Sequence, residues 1–217
     1  MTTHTDSLDA ALPGGPGARS SAWVPIRALG PRHRGRVLTH LMALDERDRV
    51  MRFGHHASDE QLAQYVQGMD FGRDELCGVF DRHVRLVASA HLAFDADSVN
   101  AEFGVSVLPK ARGLGLGSRL FDHAVVHARN RGVSMMTIYI ERENSAMLCI
   151  VRRAGAEIRF EGAQAEARLT LPEDTLGTQI EALIGHRAAE IDYQLKLHVL
   201  RLDRLLPVWA GGTPASG

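Results

Sequence analysis

The sequence predicts an α/β fold in which helices flank a central sheet. Three observations carry that expectation. Segments of period two and segments of period near 3.6 alternate through the middle of the chain. Two strand candidates are joined by the short stretch Asp81-Arg82-His83, which reads as a hairpin turn. A further strand candidate runs directly into a glycine-rich turn and a long amphipathic helix. The chain has 217 residues, enough for one domain with extensions and a core that needs no disulfide or metal staple.

Residues 1–21 are rich in Thr, Ser, Gly, Ala and Pro, including Pro13-Gly14-Gly15-Pro16-Gly17, and read as a flexible tail. The domain is expected over 22–171. Ala22 to Leu29 is a first strand, and Pro25 assigns it to an edge or a strand start. Val37, Leu38, Leu41, Met42 and Leu44 keep helical spacing over 35–44. The charged run Asp45-Glu46-Arg47-Asp48-Arg49 follows. Ser58-Asp59-Glu60-Gln61 is a capping box that opens a helix through Gly68. Strands are expected over Leu76 to Phe80, Val84 to Phe94 and Ala101 to Leu108. In the last of these Phe103, Val105 and Val107 point one way, and Glu102, Gly104 and Ser106 the other. A helix over 115–130 carries the stripe Leu116, Leu120, Phe121, Ala124 and Ala128, with Gly132 past its end. Met135 to Ile140 reads as a buried strand. A short helix from Asn144 to Gly155 and strands over 158–160 and 165–171 complete the domain. The segment 172–217 is a helical extension in which 178–206 reads as one long apolar-striped helix. It is expected to cover the chain's own sheet or to pair with a second subunit, giving a homodimer.

The turn Arg112-Gly113-Leu114-Gly115-Leu116-Gly117-Ser118 lies between a strand and a helix start. Glycines at alternate positions allow close approach of a ligand to the backbone. The first amides of a helix lack internal partners and meet the positive end of its dipole, so a phosphate or pyrophosphate fits there. Arg112 adds a charged contact or braces the turn. A P-loop is excluded because no Gly-Lys-Ser/Thr occurs in the turn. A dinucleotide fingerprint fails because Ser118 or Leu120 stands where its third glycine belongs.

With these residues in view the chain resembles the GNAT superfamily of N-acyltransferases. Arg112-Gly113-Leu114-Gly115-Leu116-Gly117 is similar to the family's R/Q-x-x-G-x-G/A motif. The helix from Asn144 to Gly155 is similar to its N-x-x-A element. The resemblance covers roughly Trp23 to Leu171. It implies a mixed, mostly antiparallel sheet, with acetyl-CoA as acyl donor. It places the pyrophosphate on the turn amides, from Arg112, Gly113, Leu114, Gly115, Leu116 and Gly117 to Ser118. It places the pantetheine arm along Val107 and a cofactor contact on Asn144. Two positions depart from the pattern. Val151 stands where many members have the Tyr that protonates the leaving thiolate, and Ala156 replaces a Phe. The stretches Asp45 to Phe53, Ala101-Glu102-Phe103 and Asn144 to Leu148 are similar to bacterial protein lysine acetyltransferases, a group that often lacks that Tyr.

Acyl transfer to an amine requires a neutral nucleophile, and a lysine-like amine with a pKa near ~10.4 is protonated at neutral pH. Glu102 is the first candidate for the base that removes this proton. The competing reading is a solvated or salt-bridged strand glutamate. Glu141 and Glu143 are alternative bases that read more readily as loop charges, and Tyr139 is a candidate proton donor that reads more readily as a core residue. Cys77 and Cys149 read as buried, reduced thiols of a cytoplasmic protein. His123 and His127 have the i, i+4 spacing of a metal pair, but Ala124 replaces the Glu of H-E-x-x-H, so no metal is expected. His83 and His91 are candidates to reach a substrate cleft. Arg47, Arg49 and Arg52 read as a salt-bridged helix face.

Lys plus Arg total 25 against 26 Asp plus Glu, so no basic excess points to nucleic acid. No apolar run reaches the ~18 residues of a membrane span. Three functions stay open: acetylation of a protein lysine, acetylation of a small amine such as a polyamine, amino acid or antibiotic, and non-catalytic binding of acyl-CoA. An acidic cleft favours polyamines and a shallow open groove favours proteins.

Overall fold

The computed structural model describes residues 25–171. The expected tail at 1–21 and the extension at 172–217, with its helix and dimer contact, lie outside these residues. The described residues form a sheet of seven strands in the order β1-β2-β3-β4-β5-β7-β6. The strands are β1 (Arg27–Ala28), β2 (Glu75–Phe80), β3 (Leu86–Phe94), β4 (Asn100–Val107), β5 (Met135–Glu141), β6 (Glu157–Glu161) and β7 (Gln164–Thr170). Only β4 and β5 pair in parallel; the other neighbours are antiparallel. The parallel pair is the one joined by a helical crossover, as parallel pairing demands. This is the mixed, mostly antiparallel sheet that the resemblance implied.

Five helices cover the sheet: α1 (Arg34–Met42), α2 (Glu46–Phe53), α3 (Asp59–Gly68), α4 (Leu116–Asn130) and α5 (Ser145–Arg153). The stripe Leu116, Leu120, Phe121, Ala124 and Ala128 is buried along α4, which packs on β2, β3 and β4. Gly132, at φ +77°, ends that helix in the left-handed conformation open to glycine. On the opposite face α1 lies on β3, and α3 lies on α1. The capping box of α3 is formed: Ser58 Oγ accepts from Gln61 N–H at 3.3 Å, and Gln61 Oε1 accepts from Ser58 N–H at 2.8 Å.

The charged run becomes α2. Asp45 caps it by accepting from Asp48 N–H at 2.7 Å. Arg49 fixes it in place, donating to the carbonyls of Leu44 (3.2 Å) and Ala57 (2.9 Å) and pairing with Asp59 at 2.7 Å. One guanidinium thereby satisfies the loops on both sides of the helix. Of the expected first strand, the described residues show Arg27–Ala28 paired at the sheet edge. The strand Met135–Glu141 is buried on alternate residues rather than throughout. Tyr139 is consequently 61% exposed, not a core residue.

Candidate functional site

Strands β4 and β5 are in register only from Asn100↔Met135 to Glu102↔Thr137. Beyond that point no pairing joins them, and β4 borders a cleft of about 770 Å³. Val105, Ser106 and Val107 form one wall, and the first residues of α5, from Asn144 to Met147 with Cys149 and Ile150, form the other. Asp48, Met51 and Arg52 of α2 approach from the remaining side, and the glycine turn lies at the mouth.

Gly113 and Gly115 adopt φ of +74° and +70°. Gly115 is the N-cap of α4 and supplies no side-chain acceptor. The amides of Leu116, Gly117 and Ser118 therefore have no partner within the helix. They sit at the positive end of a helix of fifteen residues. Arg112 braces the turn: its Nε donates to Val107 O at 3.2 Å, and its guanidinium pairs with Asp48. Arg153 of α5 donates to Ser118 Oγ and lies 3.6 Å from Asp122.

Val107, Arg112, Gly113, Gly115, Leu116, Gly117, Ser118 and Asn144 are thus brought around one cleft. Leu114 is 62% exposed and outside the lining, so only its backbone could serve a ligand. Asn144 caps α5, its Oδ1 accepting from Met147 N–H at 3.1 Å, which leaves its amide NH₂ as the donor. Glu102 is exposed on β4, on the face shared by Gly104 and Ser106, and is not among the cleft residues. It lies about 7 Å along the strand from Gly104. Val151 is completely buried in the core, so nothing at that position faces the cleft.

Two expectations about thiols divide. Cys77 is buried, and desolvation pushes its thiol far up. Cys149 is exposed and lines the cleft, because the apolar stripe of α5 falls on Met147, Leu148 and Val151 instead. Glu141 accepts from Gln164 at 2.9 Å, and Glu143 lies 3.5 Å from Arg47, both at the surface as read. His123 and His127 stack at 4.2 Å, and His127 Nδ1 lies 3.4 Å from Glu75.

A polar layer between β3–β4 and the helices α1–α3 was not read from the sequence. His40 Nδ1 lies 3.0 Å from Leu86 O, and its Nε2 lies 2.8 Å from Ser106 Oγ. A carbonyl only accepts, so Nδ1 carries the proton and Nε2 accepts from the Ser106 hydroxyl. Desolvation, the largest cause, lowers the His40 pKa to about 4. A second chain starts at Arg52, whose Nη2 donates to Tyr65 Oη at 2.9 Å. Tyr65 donates to His91 Nδ1 at 2.7 Å, and His91 Nε2 donates to Asp74 at 3.0 Å. Burial lowers the His91 pKa. Burial alone would raise the Asp74 carboxyl, but hydrogen bonds from Arg73 and His91 outweigh it and hold it below the usual range. The alternation of β3 and β4 placed His91 and Ser106 on one face; the helix residues that meet them are remote in sequence.

A second cavity of about 580 Å³ adjoins the cleft and shares Arg47, Met51 and Glu143 with it. Glu46, Val50 and Met51 of α2, the segment Glu141 to Glu143, His56 and Ala163 of the β6–β7 turn line it.

A sheet whose parallel pair splays open beside an uncapped glycine turn is the arrangement that the resemblance to N-acyltransferases implied. The chain belongs to the Acetyltransferase (GNAT) family, whose model matches residues 38–153. The GNAT domain of S. lividans PAT superposes with a TM-score of 0.57 at 18% identity, covering 67% of this chain and 89% of that one. The protein yncA from Salmonella typhimurium, solved with its cofactor acetyl-CoA, superposes with a TM-score of 0.52 at 16% identity, covering 70% of this chain and 96% of that one. A mycothiol acetyltransferase of Geodermatophilus obscurus is 32% identical over 59 residues, which are 27% of this chain and 19% of that protein. This chain therefore matches about a fifth of that relative's length.

Proposed function

We propose that the protein transfers an acetyl group from acetyl-CoA to a primary amine by direct attack. The observation that carries this reading is the uncapped start of α4 at the mouth of the β4–β5 cleft. The pyrophosphate rests on the amides of Gly113 to Ser118, with Arg112 bracing the turn. The pantetheine arm follows the unpaired edge of β4 at Val107, and the Asn144 amide donates to it. The thioester reaches the end where β4 and β5 close.

The amine enters through the adjoining cavity. Its lining carries three carboxylates (Glu46, Glu141, Glu143) and two guanidinium groups (Arg47, Arg142), around Val50, Met51 and Ala163. The carboxylates attract an ammonium, and the apolar residues suit its alkyl stem. Both a lysine side chain and a small amine fit that chemistry. The cavity opens at the surface between α2 and the β6–β7 turn, which favours a protruding chain such as a protein lysine. Glu102, exposed on the β4 face that bears Gly104 and outside the lining of both cavities, takes the ammonium proton through water.

The test is acetyl-CoA turnover, read as thiol release, against pooled amines and lysine peptides, with Glu102→Gln run in parallel. The expected result is turnover that falls by about 10²–10⁴-fold in the variant, the usual contribution of a general base. Full activity in Glu102→Gln would remove that residue from the mechanism. Binding without turnover across the whole panel would leave a non-catalytic acyl-CoA module.

A further inference from the structure

The departing thiolate has no proton donor where many family members place a tyrosine, because Val151 lies fully in the core. At the closed end of the cleft stands a different group. The Arg52 guanidinium rests on the backbone of β4 at Gly104, so closely that a Cβ there would collide with its Cζ and both terminal nitrogens. Glycine at that position is what admits the cation. Arg47, Arg49, Arg112 and Arg153 each face a carboxylate. Among the described residues Arg52 faces none, yet it lines the cleft.

Arg52 is also held in place. Tyr65 accepts its Nη2–H, His91 accepts the tyrosine proton, and Asp74 accepts from His91. Every bond in this chain runs in one direction, from the guanidinium to a carboxylate that is itself paired with Arg73. Stacking near Phe53, with Cζ 4.9 Å from the ring centroid, fixes the remaining face. An arginine oriented this firmly, with no counter-ion, is prepared for an anion that is absent from the ground state.

We propose that Arg52 is a catalytic cation that receives the coenzyme A thiolate as the C–S bond breaks. The proposal rests on the acetyl-CoA reading above. The amine lone pair forms the C–N bond, and the C–S bonding pair leaves on sulfur. The substrate ammonium gives up one proton to Glu102 through water before the attack, and the nitrogen of the adduct loses a second proton through water to solvent as the amide forms. Arginine stays protonated, so it gives charge and hydrogen bonds but no proton. The thiolate departs as the anion and is protonated from solvent. Tyr65, His91 and Asp74 are positioning residues, which act only through the orientation of Arg52.

The test needs no acceptor. Coenzyme A is bound to the full chain, and its thiol is titrated through the ultraviolet absorbance of the thiolate, as the difference between the complex and its separated components. The bound thiol is expected to ionise about 1–3 pH units below free coenzyme A, the shift an opposite charge produces at close range. Arg52→Gln should abolish the shift. Arg52→Lys and Tyr65→Phe should each retain part of it; these two carry the test if Arg52→Gln fails to fold. A bound thiol that titrates like free coenzyme A, or a shift unchanged in all three variants, would overturn the proposal. So would an Arg52→Gln variant whose only change is a raised KM for acidic acceptors, since Arg52 would then serve the acceptor. If coenzyme A does not bind at all, the acyl-CoA reading itself fails and takes this proposal with it.

Discussion

The two faces of the sheet are made of opposite materials. Under α4 the contacts are apolar: Phe103 meets Phe121 edge to face at 5.3 Å, and Leu120, Ala124, Met136 and Ile138 fill the space around them. Under α1 and α3 an apolar rim surrounds the two polar chains at His40–Ser106 and Arg52–Tyr65–His91–Asp74. The first face is non-directional and is held by area. The second works only when each donor finds its acceptor. It is also the face beside the cleft and the candidate base. Stability and positioning are thus separated by the thickness of one sheet.

The largest effect that tests this division is in the apolar face. Phe121 is 1% exposed, and Phe121→Ala should cost about 3–5 kcal/mol in urea unfolding through lost transfer energy and a cavity. Tyr65→Phe on the other face removes one hydroxyl and should cost about 1 kcal/mol, while lowering turnover. If Tyr65→Phe destabilised the fold as much as Phe121→Ala, the polar layer would be a second core rather than a positioning device.

The next effect is a pH dependence. The unfolded His40 imidazole has the ordinary pKa of 6.5 and the folded one a pKa of about 4. Above pH 6.5 the ring is neutral in both states and carries no penalty. Between 6.5 and 4 the unfolded chain binds a proton that the folded chain refuses, so stability falls as pH falls. For a side chain that is 2% exposed the loss approaches about 3 kcal/mol, taking 1.36 kcal/mol per unit. His33, also lowered to about 4, first by desolvation and then by Arg27, Arg32 and Arg36, adds to the same window. Unfolding free energies measured from pH 7 to 4 should slope downward in the native chain. The slope should be visibly reduced in His40→Gln. An unchanged slope would mean that the polar layer is open to water.

The apolar face was legible in the sequence because its signal is periodic. The stripe on α4 and the alternation in β4 each repeat within one segment, so a local reading finds them. The conformation of the glycine turn and the Asn144 helix cap were legible for a related reason: both are fixed by neighbours in the chain. The polar layer was not. Arg52, Tyr65, His91 and Asp74 come from α2, α3, β3 and the segment before β2, and only the fold makes them neighbours. Arg52 in particular read as one more charge on a salt-bridged helix face. What distinguishes it is Gly104, a strand glycine beneath its guanidinium, and that relation has no trace in spacing. Tyr139 and Cys149 were misread in the other direction. Composition suggests burial for both, yet α2 and α5 leave their side of β5 and of the cleft uncovered.

The last effect concerns the turn, where the two uses of glycine in this site part company. At Gly104 a methyl group would strike the Arg52 guanidinium. At Gly115 nothing lies within 4 Å of where a Cβ would stand, but φ is +70°. Gly115→Ala should therefore cost only the left-handed backbone penalty, about 1–2 kcal/mol, seen as a modest fall in melting temperature. On the proposed reading, a pyrophosphate reaches the amides of Leu116, Gly117 and Ser118 past that position. The same methyl group should then weaken coenzyme A binding well beyond its effect on stability, measured by calorimetry below the melting transition. A variant that loses stability but keeps its affinity would show a turn that only reverses the chain, and the anion site would have to be sought elsewhere along the cleft.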